Sequence, residues 1–306
     1  MQRHVQRWPL PIALGVYGFV IAVIYTINSR ITQGQFTYAL DDPYIHMAMA
    51  RNFSQYGIWG VTRYGFSASS SSPLWTLLLA GLFRLFPASL LLPFVLNILI
   101  SLLLLTVSAL FLFKVRLQGW VALLALLALT FAIPLPALTF VGMEHGLHSM
   151  LTLLFVILAA RQLANPASAT PQANLLLLLL ALLSTATRYE SLFMVAIAAL
   201  ALAVRRRRWR MALALAASGA LPMLVAGLIS LAHGWYFLPT SILVKAQFPT
   251  AHSLSGILYS LGYRALETLY NAPALLFLLL ATLGLAVYHR WRQPSPWSGV
   301  IASMSA

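Results

Sequence analysis

Five acidic residues stand in the whole chain: Asp41, Asp42, Glu144, Glu190 and Glu267. Each falls at or just beyond the end of an apolar stretch, where a charge is costly and ordinarily kept for a function. Asp41-Asp42-Pro43 is the most informative group. Adjacent carboxylates repel, so one holds its proton more tightly, while a helix N-terminus favours the anion. A carboxylate in that balance can take a proton from a hydroxyl. Asp42 suits an N-cap and Pro43 a first helical position, which predicts a helix over 43–55 that stops at Gly57. Its apolar face, Ile45, Ala48, Met49 and Phe53, would rest on a membrane surface. Plain helix capping is the other reading of the same pair.

Glu144 is flanked by Gly142 and Gly146, which permit close backbone approach, and by His145 and His148. A metal site from Glu144, His145 and His148 is conceivable, but a metal needs three or four convergent ligands and two histidines three apart are weak evidence of convergence, so no metal or other cofactor is expected. Arg188 and Glu190 are near neighbours. They either satisfy each other or leave Arg188 to a phosphate, which its planar fork fits. Lys245, in Pro-Thr-Ser-Ile-Leu-Val-Lys at 239–245, is a second phosphate candidate as a point charge, or snorkels to lipid headgroups.

The elements that must position these residues are membrane helices. The chain is 61% hydrophobic and 8% charged, far below the roughly 25% charged residues of soluble domains. Its mean hydropathy is +0.86. About 20 apolar residues span a bilayer as a helix, and open strands cannot. Eight spans are expected: 10–27, 93–113, 120–139, 147–161, 175–187, 191–204, 211–232 and 272–288. The fold class is therefore all-α and polytopic. Residues 28–92 form an outer loop with interfacial helices, and 233–270 form a second outer segment. Residues 73–92, interrupted by Pro73, Arg84 and Pro87, are read as an interfacial helix with Trp75 at headgroup depth. Basic residues orient the spans. With the five arginines at 205–208 and 210 placed inside, the inner loops hold twelve of the nineteen Lys and Arg and no acid. All five acids then lie outside. The net charge of +14 follows from this topology, so no nucleic-acid partner is inferred. With no cysteine there is no disulfide framework. The first span, after Arg3 and Arg7, reads as an uncleaved signal-anchor.

The order of these motifs resembles the GT-C superfamily of membrane glycosyltransferases. The shared features are an Asp-Asp at an outer helix, Ser71-Ser72-Pro73-Leu74-Trp75, Gly142-Met143-Glu144, Thr187-Arg188-Tyr189-Glu190 and the 239–245 segment. Arabinofuranosyltransferase-like bacterial members are the most similar, over roughly residues 10–250. The resemblance implies one GT-C-like domain over 1–306, shortened at its C-terminus relative to longer relatives. It implies a polyprenyl-phosphate-linked sugar as donor and a cell-envelope glycan or lipid as acceptor. It also implies a catalytic base at Asp41 or Asp42 and a second catalytic acid at Glu144. Arg188 and Lys245 would hold the donor phosphate, with Glu190 and His145 in support. The chain departs from the family pattern at Tyr189, where proline is usual, and at His145, where threonine is usual.

The expected function is glycosyl transfer at the periplasmic face of a bacterial inner membrane, with the chain embedded among membrane lipids. Two other classes compete. A transporter or flippase would place charges at the bilayer midplane and repeat its broken helices. A noncatalytic scaffold would tolerate every acid-to-amide change.

Overall fold

A computed structural model describes residues 7–245 and 254–271. The chain divides into two compact units, residues 1–246 and 247–306. Every regular element among the described residues is helical. In the first unit these are α1 (Pro9–Ile31), α2 (Asp42–Tyr56), α3 (Pro73–Leu85), α4 (Leu91–Lys114), α5 (Trp120–Ala132), α6 (Leu135–Val141), α7 (His145–Ala164), α8 (Pro171–Thr187), α9 (Ser191–Arg206), α10 (Trp209–Ala232) and α11 (Thr240–Lys245). In the second unit the described helix is α12 (Leu254–Asn271).

Five segments are long and apolar enough to cross a membrane: α1, α4, α5 with α6, α7 and α10. This is the architecture of a helical membrane protein. The expected span at 120–139 is broken, because Pro134 and Pro136 interrupt the backbone ladder between α5 and α6. The segments expected to span at 175–187 and 191–204 form α8 and α9, of 17 and 16 residues, shorter than the five segments above. The expected span at 272–288 lies outside the described residues. Within 233–270, where an outer segment was expected, the chain forms α11 and α12.

Hydrogen bonds between chain-distant residues define the two ends of the first unit. At one end Tyr38 Oη donates to Leu90 O, Ala39 N to Phe140 O (3.3 Å) and Arg188 to Glu144 (3.0 Å). Thr240 N donates to Ala68 O there at 2.9 Å. The end of α1 and the starts of α4 and α7 therefore lie together with the α8–α9 turn. At the other end Arg206 bonds the final carbonyls of α7, and Arg208 bonds Gln162 and Asn174 at 3.1 Å each. These are called the acid end and the arginine end. α8 and α9 connect the same two ends as α7.

Residues 73–92 do not cross. α3 has 13 residues, which is too short to span, and α4 begins at the end where α1 finishes. Trp75 packs inside the protein rather than against lipid, however. Trp75 is fully buried, in one apolar cluster with Ala50, Leu79, Leu147 and Leu180. The buried faces of α2 (His46, Met49, Ala50) and α3 (Trp75, Thr76, Leu79) turn inward, while Phe53, Leu77, Leu78 and Leu85 stay exposed. A polar network ties them to the loop between: His46 Nδ1 lies 2.9 Å from Thr76 Oγ1, and Ser70 Oγ 3.0 Å from the same hydroxyl.

α2 stops at Gly57 in the left-handed conformation (φ 70°), as its sequence predicts. Its start differs from expectation. Asp41, not Asp42, holds the N-cap position, and no side chain caps the helix. Asp42 and Pro43 occupy the first helical positions, where a carboxylate complements the helix dipole without capping it.

Candidate functional site

The site is built on two turns at the acid end. The first joins α6 to α7. Gly142 adopts φ 70° and closes α6. A side chain there would be strained by that φ, and its Cβ would overlap the ring of Tyr38. Tyr38 belongs to the strap at 37–41, fixed by Ala39 N donating to Phe140 O and by Tyr38 N donating to Tyr44 Oη (3.0 Å). The glycine therefore lets the strap that precedes Asp41 and Asp42 lie directly on the turn that precedes Glu144. Gly142→Ala is expected to destabilise the protein by at least about 1–2 kcal/mol, the cost of the left-handed backbone alone. Thermal unfolding in detergent would show a midpoint well below wild type.

The second turn joins α8 to α9. Arg188 leaves the helix in an extended conformation (φ −150°, ψ 126°), and its N–H donates to Ser184 O at 2.9 Å. Its guanidinium reaches both sides of the site. Nη1 donates to Glu144 Oε1 at 3.0 Å and to His145 Nδ1 at 3.2 Å, and Nη2 donates to Glu190 Oε1 at 2.9 Å. The two carboxylates differ in setting. Glu144 is 1% exposed and Glu190 62%, with Arg188 between them at 31%. Burial raises the Glu144 carboxyl above its usual range, and this outweighs the opposing charge of Arg188. Burial also acts on Glu190, but there the Arg188 hydrogen bond and charge prevail, and the carboxyl falls below its usual range. Glu144 Oε2 is buried without a partner among the described residues. A carboxyl in that state either carries a proton or accepts a hydroxyl brought to it.

The hydrogen bonds also assign the histidine tautomers. A guanidinium has only donors, so His145 Nδ1 accepts and its proton sits on Nε2. Ser191 Oγ donates to Ser184 O at 3.0 Å, so His148 Nε2, 2.8 Å from Ser191 Oγ, is also the protonated nitrogen. Asp42 is half-buried and lies within electrostatic reach of His145. Asp41 is exposed.

The structure thus gathers Glu144, His145, Arg188 and Glu190 from two separate loops, with the charge of Asp42, from a third, acting on His145. It differs from expectation at Arg188, which is not open to a ligand on both amino groups. Buried Glu144 needs a counter-charge, and Arg188 supplies it. The side chain of Lys245 lies outside the described residues. The helix that carries it starts at Thr240, whose N and Oγ1 both donate to Ala68 O (2.9 and 3.1 Å), at the acid end. Glu267 is exposed on α12 in the second unit. No group of His, Asp and Glu among the described residues is arranged to hold a metal ion. Ser191 has no signal in the sequence: it is one more serine at a helix start, and only the folded turn places it under His148.

These features define a class, a helical membrane protein with a buried carboxyl–guanidinium centre at one end. No family model, curated protein or solved structure matches the chain.

Proposed function

We propose that the protein is a glycosyltransferase that moves a sugar from a polyprenyl-phosphate donor to a hydroxyl of a cell-envelope acceptor, at the acid end of the bundle. One observation carries this reading. Two carboxyls and a guanidinium from two separate loops meet at Arg188, with Asp42 of a third loop acting by its charge on His145, at the end of apolar helices where a lipid-linked donor would lie.

Asp42 is the base. As the acceptor oxygen forms its bond to the anomeric carbon, its proton passes to the Asp42 carboxylate. The bond from that carbon to the phosphate oxygen breaks, and polyprenyl phosphate leaves with the electron pair. Attack opposite the leaving group inverts the carbon. His145, held as its Nε2–H form by Arg188, offers a donor near Asp42 and the acceptor. The donor phosphate takes the Nη2 side of Arg188 in exchange for Glu190, the more exposed of its two carboxylate partners. Lys245 serves the same phosphate. Glu144 keeps Arg188 in place and accepts an acceptor hydroxyl on Oε2. Electrostatic stabilisation of this kind is strongest where water is scarce. The active face is periplasmic and the membrane is a bacterial inner membrane, since five arginines at the opposite end favour the cytoplasm.

Incubating membranes that contain the protein with radiolabelled polyprenyl-phosphate pentoses and hexoses tests this. The expected result is transfer of label to envelope material from one donor. Uptake of solute coupled to an ion gradient, with no transfer from any donor, would replace this reading with transport.

A further inference from the structure

We infer that the arginine end carries a binding site for the phosphate headgroup of an anionic phospholipid. Four consecutive arginines, Arg205, Arg206, Arg207 and Arg208, line a cavity of about 490 Å³ together with Pro166 and Ala169 of the α7–α8 connection. Two of them are structural struts. Arg206 donates to Leu163 O and Ala164 O, closing the end of α7 where a cation is favoured. Arg208 donates to Gln162 Oε1 and Asn174 Oδ1, tying α7 to α8. The other two, Arg205 and Arg207, are exposed and make no hydrogen bond or ion pair among the described residues. Arg207 closes α9 in the left-handed conformation (φ 50°), which a residue with a side chain rarely adopts. That turn folds the run back on itself, so that the arginines line one concavity.

The start of α10 adds a second reason for an anion. Arg208 is its N-cap and Arg210 lies in its first turn, so two cations stand at the positive end of the helix dipole. No side chain caps this end, and its first turn has no acid. Positive-inside bias accounts for the number of arginines here, but solvated arginines would satisfy it equally well. It does not account for an open concavity lined by four arginines, two of them bonded to α7 and α8 and two left unpaired among the described residues. A phosphate oxyanion would pair with Arg205 and Arg207 and offset the charge at the start of α10. The source is lipid rather than a soluble phosphate because Trp209, next in the chain, and Trp120 are 60% and 71% exposed at this end. Such aromatic rings mark headgroup depth.

Native mass spectrometry of the full-length protein in detergent, titrated with phosphatidylglycerol and with phosphatidylcholine, tests the site. Wild type is expected to retain phosphatidylglycerol in preference to phosphatidylcholine. Arg205→Ala/Arg207→Ala is expected to lower that retention about tenfold or more. Arg116→Ala, a charge loss elsewhere at this end, is expected to leave it within about twofold. Three results would overturn the proposal: equal retention of both lipids by wild type, an equal loss in the Arg116 variant, or displacement of the lipid by millimolar inorganic phosphate. The wild-type comparison stands even if the double variant fails to fold.

Discussion

Arg188→Ala is expected to give the largest loss of stability of any single change at the acid end. The substitution removes the one cation that pairs with Glu144 among the described residues, and Glu144 is 1% exposed. Breaking a buried ion pair from one side costs about 3–5 kcal/mol, and the lower figure applies because Arg188 itself is 31% exposed. The loss should depend on pH in a defined sense. Burial already raises the folded-state pKa of Glu144 above the ordinary carboxylate value, so the folded protein binds this proton more tightly than the unfolded chain does. Its ionisation therefore opposes folding, increasingly as pH rises from the unfolded value through the folded one. Without Arg188 that folded value rises further, and the penalty extends to higher pH. Glu190 behaves oppositely. Its lowered value contributes stability above the unfolded value that disappears as pH falls through the folded one, and this contribution vanishes with Arg188. Melting midpoints taken between about pH 4 and pH 8 should show Arg188→Ala closest to wild type at the acid end of that range. Adding Glu144→Gln should recover most of the loss near neutral pH, because the stranded charge is gone. Transfer activity should be lost in both variants. A single variant that melts like wild type at neutral pH would show that the guanidinium is not holding Glu144.

Asp42→Asn is expected to give the largest selective loss of activity. A positioned general base contributes about 10²–10⁴-fold, and asparagine keeps the shape while removing the basicity. The loss should fall on kcat, with KM for the donor little changed, because the base acts as the proton moves and not when substrate binds. Asp41→Asn should retain activity within about threefold, since an exposed N-cap that makes no cap hydrogen bond has little to lose. Both variants should insert and melt like wild type. Equal activity in Asp42→Asn and wild type, measured with the labelled donor, would remove Asp42 from the reaction. Loss in Asp41→Asn alone would transfer the role to its neighbour.

Several features could be read directly because they are local. Gly57 and Pro43 bound α2 within a residue of the expected helix, since a left-handed stop and a proline start are set by the backbone of those residues. α1, α4, α7 and α10 follow from runs of apolar residues of sufficient length. α3 was legible as a non-crossing helix from its length and its prolines, but Trp75 was not legible as a core residue. A tryptophan at an interface and one under a neighbouring helix look alike until the partner, here α2, is in place. The break at Pro134 could have been seen in the sequence. Its proline was absorbed into a long apolar run that looked continuous.

The amino-acid sequence by itself determined that the chain is helical and apolar, that its few acids fall at helix ends, and that its arginines cluster away from them. Each is a property of neighbouring residues. Only the tertiary structure decided which acid is buried, that Arg188 is shared between Glu144 and Glu190, that Asp42 is half-buried while Asp41 is exposed, and which ring nitrogen of His145 carries the proton. Burial and ion pairing depend on atoms that lie more than forty residues apart in the chain, as Glu144 and Arg188 do. The field at a carboxyl is set by what packs around it, and no local pattern records that.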